Sequence, residues 1–169
     1  MEVRASGAWA VRKMVVLCLL LSSACGGAVN ATPATTGKVP EAGTFTLTDS
    51  GCQYDATARV ASGSFSARVA NKTADRAHFD LWKLNAGHSY AELLAHVNEE
   101  GRRLQSQQPP LGHPEFASLV RSVPVEAQAS GVLTADAGAG VYGMACIRWK
   151  LAEEGPLDMY PAGPLMVGQ

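Results

Sequence analysis

The stretch Ser64-Phe-Ser-Ala-Arg-Val-Ala70 alternates polar and apolar side chains, so that Phe65, Ala67 and Val69 fall on one face. A period of two indicates a β-strand with one face buried and the other in water. Turn-forming residues flank the stretch on both sides. Because the same alternation recurs along much of the chain, the sequence predicts an all-β architecture.

The other segments with strand character are short and separated by turn residues rich in Gly, Ser, Asn and Asp. Together with the first stretch, the predicted strands cover residues 44–48, 56–60, 64–70, 77–84, 122–129, 132–135, 141–149 and 165–167. Many short strands with period-two patterning are typical of a β-sandwich, in which two sheets bury a shared core. The predicted domain covers residues 44–169.

One segment, residues 89–122, changes period. Ser89-Tyr-Ala-Glu92 has the spacing of a capping box, which marks the start of a helix. The apolar side chains that follow repeat at helical spacing: Tyr90, Leu93, Leu94, Val97 and Leu104. We predict a helix over residues 90–107, with Gly101 costing about 1 kcal/mol relative to Ala, and a short second helix over residues 113–120, with Pro114 in its first turn.

The N-terminus has the three parts of a secretory signal. Arg4, Arg12 and Lys13 precede an apolar run, Met14-Val-Val-Leu-Cys-Leu-Leu-Leu21, and small residues follow up to Cys25. The run is too short to span a bilayer, which takes roughly 20 apolar residues. We predict a signal peptide over residues 1–24 and a flexible tether over residues 25–43, which is polar, small and interrupted by proline.

The residues before the predicted cut resemble the lipobox of bacterial lipoproteins. Leu21, Ser23, Ala24 and Cys25 suit that pattern. The resemblance implies that Cys25 becomes the first mature residue and is lipidated, with palmitate among the attached acyl chains. The mature protein would then be exported and lipid-anchored, on the outer side of the cell membrane or in the periplasm.

The charge balance excludes one class of partner. Without residues 1–24, the chain has 11 Lys and Arg against 14 Asp and Glu, because three basic residues and one acidic residue leave with the signal. A nucleic-acid surface needs clustered Lys and Arg, so no nucleic-acid partner is predicted. Nor is there a basic patch for anionic lipid, so membrane attachment would depend on the lipid at Cys25.

The four cysteines have different predicted roles. Cys18 leaves with the signal and Cys25 is the anchor, so that Cys52 and Cys146 remain in the folded domain. In an oxidising compartment two such cysteines most simply form a disulfide. Alternatively, one of them is a metal thiolate. The residues alone leave both possibilities open.

The order of motifs along the domain resembles the cupredoxin-like fold, and most closely the cupredoxin-like domain of EfeO-type periplasmic iron-uptake proteins. The resemblance covers nearly all of residues 44–169 except the helical segment. It depends on a run of separate motifs: Thr48-Asp-Ser-Gly-Cys52, Val60-Ala-Ser-Gly-Ser-Phe65, Val69-Ala-Asn71, Phe79-Asp-Leu81, Gly140-Val-Tyr-Gly-Met-Ala-Cys146 and Gly163-Pro-Leu-Met-Val167. It implies a Greek-key β-sandwich with an inserted helical segment.

Blue-copper cupredoxins bind copper through two His, one Cys and usually one Met. Carried over, that set gives His78, Cys146, and Met159 or Met166. No His follows Cys146, however, so the equatorial set lacks its second imidazole. The EfeO-like arrangement of two cysteines implies instead a Cys52–Cys146 disulfide and no cofactor.

The resemblance therefore implies a binding or accessory module rather than an enzyme, with a protein or small-ligand partner. The alternative is a copper-binding or electron-transfer protein with an altered ligand set. His96 lies one helical turn from Glu92 and Glu100, which together could hold a cation, although such a group is usually a solvated helix face. Trp82 and Trp149 could line a ligand pocket or pack in the core. No serine has the setting of a hydrolase nucleophile.

Overall fold

The computed structural model describes residues 39–56, 59–150 and 155–168, and this part of the chain contains eight strands and one helix. In chain order they are β1 (Glu41–Thr48), β2 (Gly51–Ala56), β3 (Gly63–Asn71), β4 (Arg76–Leu84), α1 (Tyr90–Gln105), β5 (Ala117–Val125), β6 (Ser130–Ala137), β7 (Gly140–Lys150) and β8 (Gly155–Val167). The predicted signal peptide, the lipidation site at Cys25 and most of the predicted tether lie outside the described residues.

The strands form two four-stranded sheets. The first has the order β2-β1-β3-β6 and the second the order β5-β4-β7-β8. All neighbouring pairs are antiparallel except β1 and β3, which run parallel. This strand order, with the helix inserted between β4 and β5, confirms the expected cupredoxin-like β-sandwich.

The main core lies between the two sheets. Alternate residues of the central strands face it, as the period of two requires. Phe65, Ala67 and Val69 of β3 are fully buried, as predicted. From the second sheet, Phe79 and Leu81 of β4 are equally buried in the same cluster.

The helix covers the outer face of the second sheet and forms a second, smaller core there. Trp82, Leu84 and Ala145 of the sheet pack against Leu93 and Val97 of α1. The helix begins at Tyr90 as predicted, and the capping box of Ser89 and Glu92 is formed. Domain architecture is therefore three-layered: sheet, sheet and helix. Among the described residues, no helix has the length and apolar character needed to cross a bilayer.

The structure corrects the predicted end of the helical segment. Residues 117–120 belong to β5, so the predicted helix over residues 113–120 is wrong and the inserted segment ends before Ala117 rather than at residue 122. The strand β5 lies at the edge of its sheet, and most of its side chains are partly or fully exposed. Only Ala117 and Val125, at its two ends, are buried, so its sequence has a weak period of two.

Three other strand boundaries also differ from the prediction. The chain reverses at once after Thr48, so that β2 covers Gly51–Ala56 and not residues 56–60. β1 starts at Glu41, which removes three residues from the predicted tether. β8 is much longer than the predicted strand 165–167, because its prolines hide the pattern; an edge strand tolerates proline, which cannot donate to the ladder.

Candidate functional site

The two cysteines of the domain are joined. Cys52 of β2 and Cys146 of β7 form a disulfide with a Cα–Cα distance of 6.2 Å, which confirms that prediction. Cys146 is fully buried in the main core, and Cys52 packs against the same cluster. The bond links one sheet to the other across a separation of 94 residues.

The register of β4 and β7 places His78 away from Cys146. Phe79 lies opposite Cys146, whereas His78 lies opposite Ile147. Since successive side chains of a strand point to opposite faces, Cys146 faces the main core and His78 faces the outer side of the sheet. There the His78 ring lies 5.4 Å from the ring of Trp149, centroid to centroid.

The candidate axial methionines are also apart from Cys146. Met159 lies opposite Ile147 and packs in the second core, on the outer face of the sheet. Met166 lies opposite Val141 and is 41% exposed. Within the described residues there is no cluster of three His, Cys, Asp or Glu side chains that could hold a metal ion. The residues present therefore do not fit a type 1 copper centre.

A cavity of about 250 Å³ lies between α1, the chain segment after it and the outer face of the second sheet. It is lined from three sides. The sheet contributes Asp80, Trp82, Ala145, Ile147 and Met159, the helix contributes Leu93, His96, Val97 and Glu100, and the connecting segment contributes Gly112, His113 and Pro114. Apolar walls with a few polar groups are characteristic of small-molecule sites.

Two carboxyl groups line the cavity from opposite walls. The Oδ1 atom of Asp80 accepts a hydrogen bond of 2.5 Å from the hydroxyl of Ser122. Burial raises the pKa of the Asp80 carboxyl above its ordinary value, while the hydrogen bond from Ser122 and the nearby His78 and His113 act in the opposite direction.

Glu100 approaches from the helix and is only 7% exposed. Its Oε2 atom accepts a hydrogen bond of 2.6 Å from the backbone N–H of Leu111, which holds the connecting segment against the helix. The Oε1 atom has no hydrogen bond to another described residue. Oε1 is not among the fully buried atoms that lack a partner, so it is an acceptor that water or a ligand can reach.

The two histidines of the cavity have structural partners. The Nε2 atom of His96 donates to the carbonyl oxygen of Gly112 at 2.9 Å, and the ring of His113 lies edge-on to Trp82 at 5.1 Å. Glu92 is held in the capping box and by His88. The cation group suggested for His96, Glu92 and Glu100 is therefore not assembled.

Two glycines lie where the helix and the sheet approach each other closely. A Cβ atom at Gly101 would lie 2.6 Å from the carbonyl oxygen of Met159, and one at Gly143 would lie 2.5 Å from the side chain of Leu93. Gly101 is thus required at the contact between α1 and β8.

Of the residues proposed from the sequence, Trp82 lines the cavity and Trp149 does not. No sequence motif singles out Asp80, and the sequence predicts Glu100 only as a cation ligand. A signal for Glu100 was present: with Leu93 and Val97 it shares the helical spacing of the buried face. An acidic residue at such a position is rarely buried without a reason.

No protein-family model matches the sequence, and no curated protein matches it. Among solved structures, dithionite-reduced auracyanin from the photosynthetic bacterium Roseiflexus castenholzii has a TM-score of 0.40 at 14% identity, covering 78% of this chain and 98% of its own. Auracyanin B has a TM-score of 0.38 at 14% identity, covering 77% and 91%. The likeness to EfeO-type proteins stays a prediction.

Proposed function

We propose that this chain is an exported, lipid-anchored binding or accessory module, not an enzyme, whose cupredoxin-like domain holds no type 1 copper. The observation that carries the proposal is the Cys52–Cys146 disulfide. The copper of a type 1 site is bound by a thiolate and two imidazoles in one plane. The sulfur of Cys146 is bonded to another sulfur and is not a thiolate.

The position of His78 supports the same proposal. Reducing the disulfide would restore a thiol at Cys146, but His78 would still face the opposite side of the sheet. The cavity beneath α1 gives a binding module somewhere to bind: it has apolar walls and two carboxyl groups with spare acceptor capacity. A small ligand is therefore a better-supported occupant of this domain than copper.

The second candidate is a copper-binding or electron-transfer protein with an altered ligand set, favoured by the cupredoxin-like strand order itself. Loading the protein with Cu(II) separates the two. Under the first proposal the oxidised protein has no alkylatable thiol at Cys52 or Cys146, and copper gives no intense blue absorption. An intense blue band that is lost in both Cys146→Ser and His78→Ala would overturn the proposal.

A weak absorption band has a different meaning. If it survives Cys146→Ser, the copper is bound adventitiously, and His96 or His113 would be the first residues to substitute. That result would not contradict the disulfide or the proposed accessory role, because neither His is bonded to Cys52 or Cys146.

Anchoring is tested separately. The lipobox-like residues before Cys25 motivate the expectation that the protein partitions into a detergent phase and that Cys25→Ser moves it to the aqueous phase. A Cys18→Ser variant is the matched control, since Cys18 would leave with the signal and its loss should change nothing. Equal membrane association of wild type and Cys25→Ser would exclude lipidation at Cys25.

A further inference from the structure

We propose that the cavity beneath α1 binds a small organic ammonium ion, a primary amine carrying one ring or a short alkyl chain. The inference rests on the proposed function, since it names the ligand class of a binding module. Three features of the cavity support it: its size, its apolar walls, and the charge and free hydrogen-bond acceptors of Asp80 and Glu100.

The size of the cavity limits the ligand. An apolar cavity of about 150 Å³ is enough to hold benzene. At about 250 Å³, this cavity has room for one six-membered ring and a short chain, but not for a nucleotide or a peptide. Its lining is mainly apolar, so the body of the ligand should be apolar as well.

The charged groups determine the polar end of the ligand. Asp80 projects from the sheet and Glu100 from the helix, and no Lys or Arg is among the described residues that line the cavity. An ionised carboxylate only accepts hydrogen bonds. A ligand that satisfies both groups must therefore donate, and a positive charge makes those bonds stronger. An anionic ligand would be repelled by both side chains.

Each carboxylate has an oxygen left for the ligand. Ser122 occupies Oδ1 of Asp80 and Leu111 occupies Oε2 of Glu100. Among the described residues nothing donates to Oδ2 of Asp80 or to Oε1 of Glu100. An ammonium group has three N–H donors, so it can donate to one of these oxygens while its charge is attracted by the other carboxylate.

A metal ion fits the same cavity poorly. Glu92 is engaged at the helix start, and the described residues contain no group of three potential ligands. His96 donates its Nε2 proton to a backbone carbonyl, so that nitrogen is not a free lone pair. The pKa of Asp80 is raised by burial, and a bound cation would offset that cost of desolvation.

The first experiment needs no variant. The full-length protein in a non-ionic maltoside detergent is titrated calorimetrically with three probes of similar shape: 2-phenylethylammonium, 2-phenylethanol and 3-phenylpropanoate. We expect the ammonium ion to bind about tenfold more tightly than the alcohol, as the loss of a charge-assisted hydrogen bond implies, and the carboxylate not to bind. Equal affinity for amine and alcohol, or no binding of any probe, overturns the proposal.

Matched variants then locate the site. Asp136 on β6 accepts a hydrogen bond from Ser64 on the neighbouring strand, just as Asp80 accepts one from Ser122, but it lies in the other sheet and away from the cavity. Asp80→Asn should weaken amine binding about tenfold and leave alcohol binding unchanged, whereas Asp136→Asn should change neither. If Asp80→Asn leaves amine binding unchanged, the amine binds outside this cavity and the proposal is wrong.

The helix offers a second matched pair. Glu99 and Glu100 are consecutive, but Glu99 is held by Arg102 and Arg103 on the solvent side. Glu100→Gln should lower the affinity for the ammonium probe, and Glu99→Gln should leave that affinity unchanged. If both variants bind as wild type does, the ammonium assignment fails. If the ammonium proposal fails in this way, the disulfide and the proposal that the domain holds no type 1 copper still stand, because the thiol and copper measurements do not involve the cavity.

Discussion

The two faces of the second sheet have different surroundings, although the same strands form both. On β4, Ala77, Phe79 and Leu81 face the main core, where the surroundings are apolar and the disulfide closes the sandwich. The alternate side chains Asp80 and Trp82 face the helix and line a cavity. One face therefore contributes to the main core, and the other contributes to the second core and to the cavity.

This difference between the faces explains why the side chains expected as copper ligands from the cupredoxin pattern do not lie together. The pattern gives sequence positions, but a shift of one residue along a strand moves a side chain to the opposite face. Cys146 and His78 fall on opposite faces for this reason. If the two faces are independent, damage to the inner face should unfold the domain, and damage to the outer face should change binding first.

The largest expected effect is on the inner face. Replacing Cys52 by Ala should lower the free energy of unfolding by about 2–5 kcal/mol, because the disulfide no longer restricts the unfolded chain. Urea unfolding measures the change, and wild type unfolded in the presence of a reductant is the control. Identical midpoints for Cys52→Ala and oxidised wild type would show that the disulfide does not hold the two sheets together.

The next effect concerns the contact between the two layers on the outer face. Gly101→Ala in an unhindered helix would stabilise it by about 1 kcal/mol. Here the new Cβ would meet the carbonyl oxygen of Met159, so we expect a loss of about 1–3 kcal/mol, as is usual for overpacking. Asn98→Ala, exposed on the same helix, is the control and should be neutral or slightly stabilising. Stabilisation by Gly101→Ala would mean that α1 is not seated on β8.

The sequence predicted most of what depends on strong periodicity. The alternation of Phe65, Ala67 and Val69, the capping box at Ser89 and the helical face of Leu93 and Val97 each appear in the structure as expected. These signals are local, because buried side chains at regular spacing are recognisable without knowing what they pack against.

The rest depends on neighbours that are distant in sequence. β5 and β8 are edge strands, so their alternation is weak or interrupted by proline. A glycine inside a helix lowers the stability of the helix. The reason for a glycine at position 101 is its close contact with Met159 of β8, which the local sequence does not reveal. The cavity arises from three separate segments. No local pattern predicts that Asp80 and Glu100 line the same space, although an acidic residue on the apolar helix face was a usable hint.

A smaller effect is expected from the pH dependence of the outer face. Burial raises the pKa of Asp80 in the folded protein, so the folded state holds this proton to a higher pH than the unfolded state does. The stability that Asp80 contributes below its unfolded pKa is therefore lost as pH rises through its folded pKa. Asp80→Asn should remove this loss, and urea unfolding from acid to neutral pH measures it. An unchanged difference between wild type and variant across that range would contradict the assignment.

The smallest effect is expected at Glu99, on the side of the helix that faces solvent. Hydrogen bonds from Arg102 and Arg103 lower the pKa of Glu99 to about 2. A lowered folded pKa stabilises the protein above the unfolded value, and this contribution is lost as pH falls towards 2. Exposed ion pairs contribute little and are screened by salt, so Glu99→Gln should change the unfolding midpoint only slightly, and less at high salt. A salt-independent loss of stability in Glu99→Gln, comparable with that of Gly101→Ala, would mean that this side of the helix is not a solvated surface.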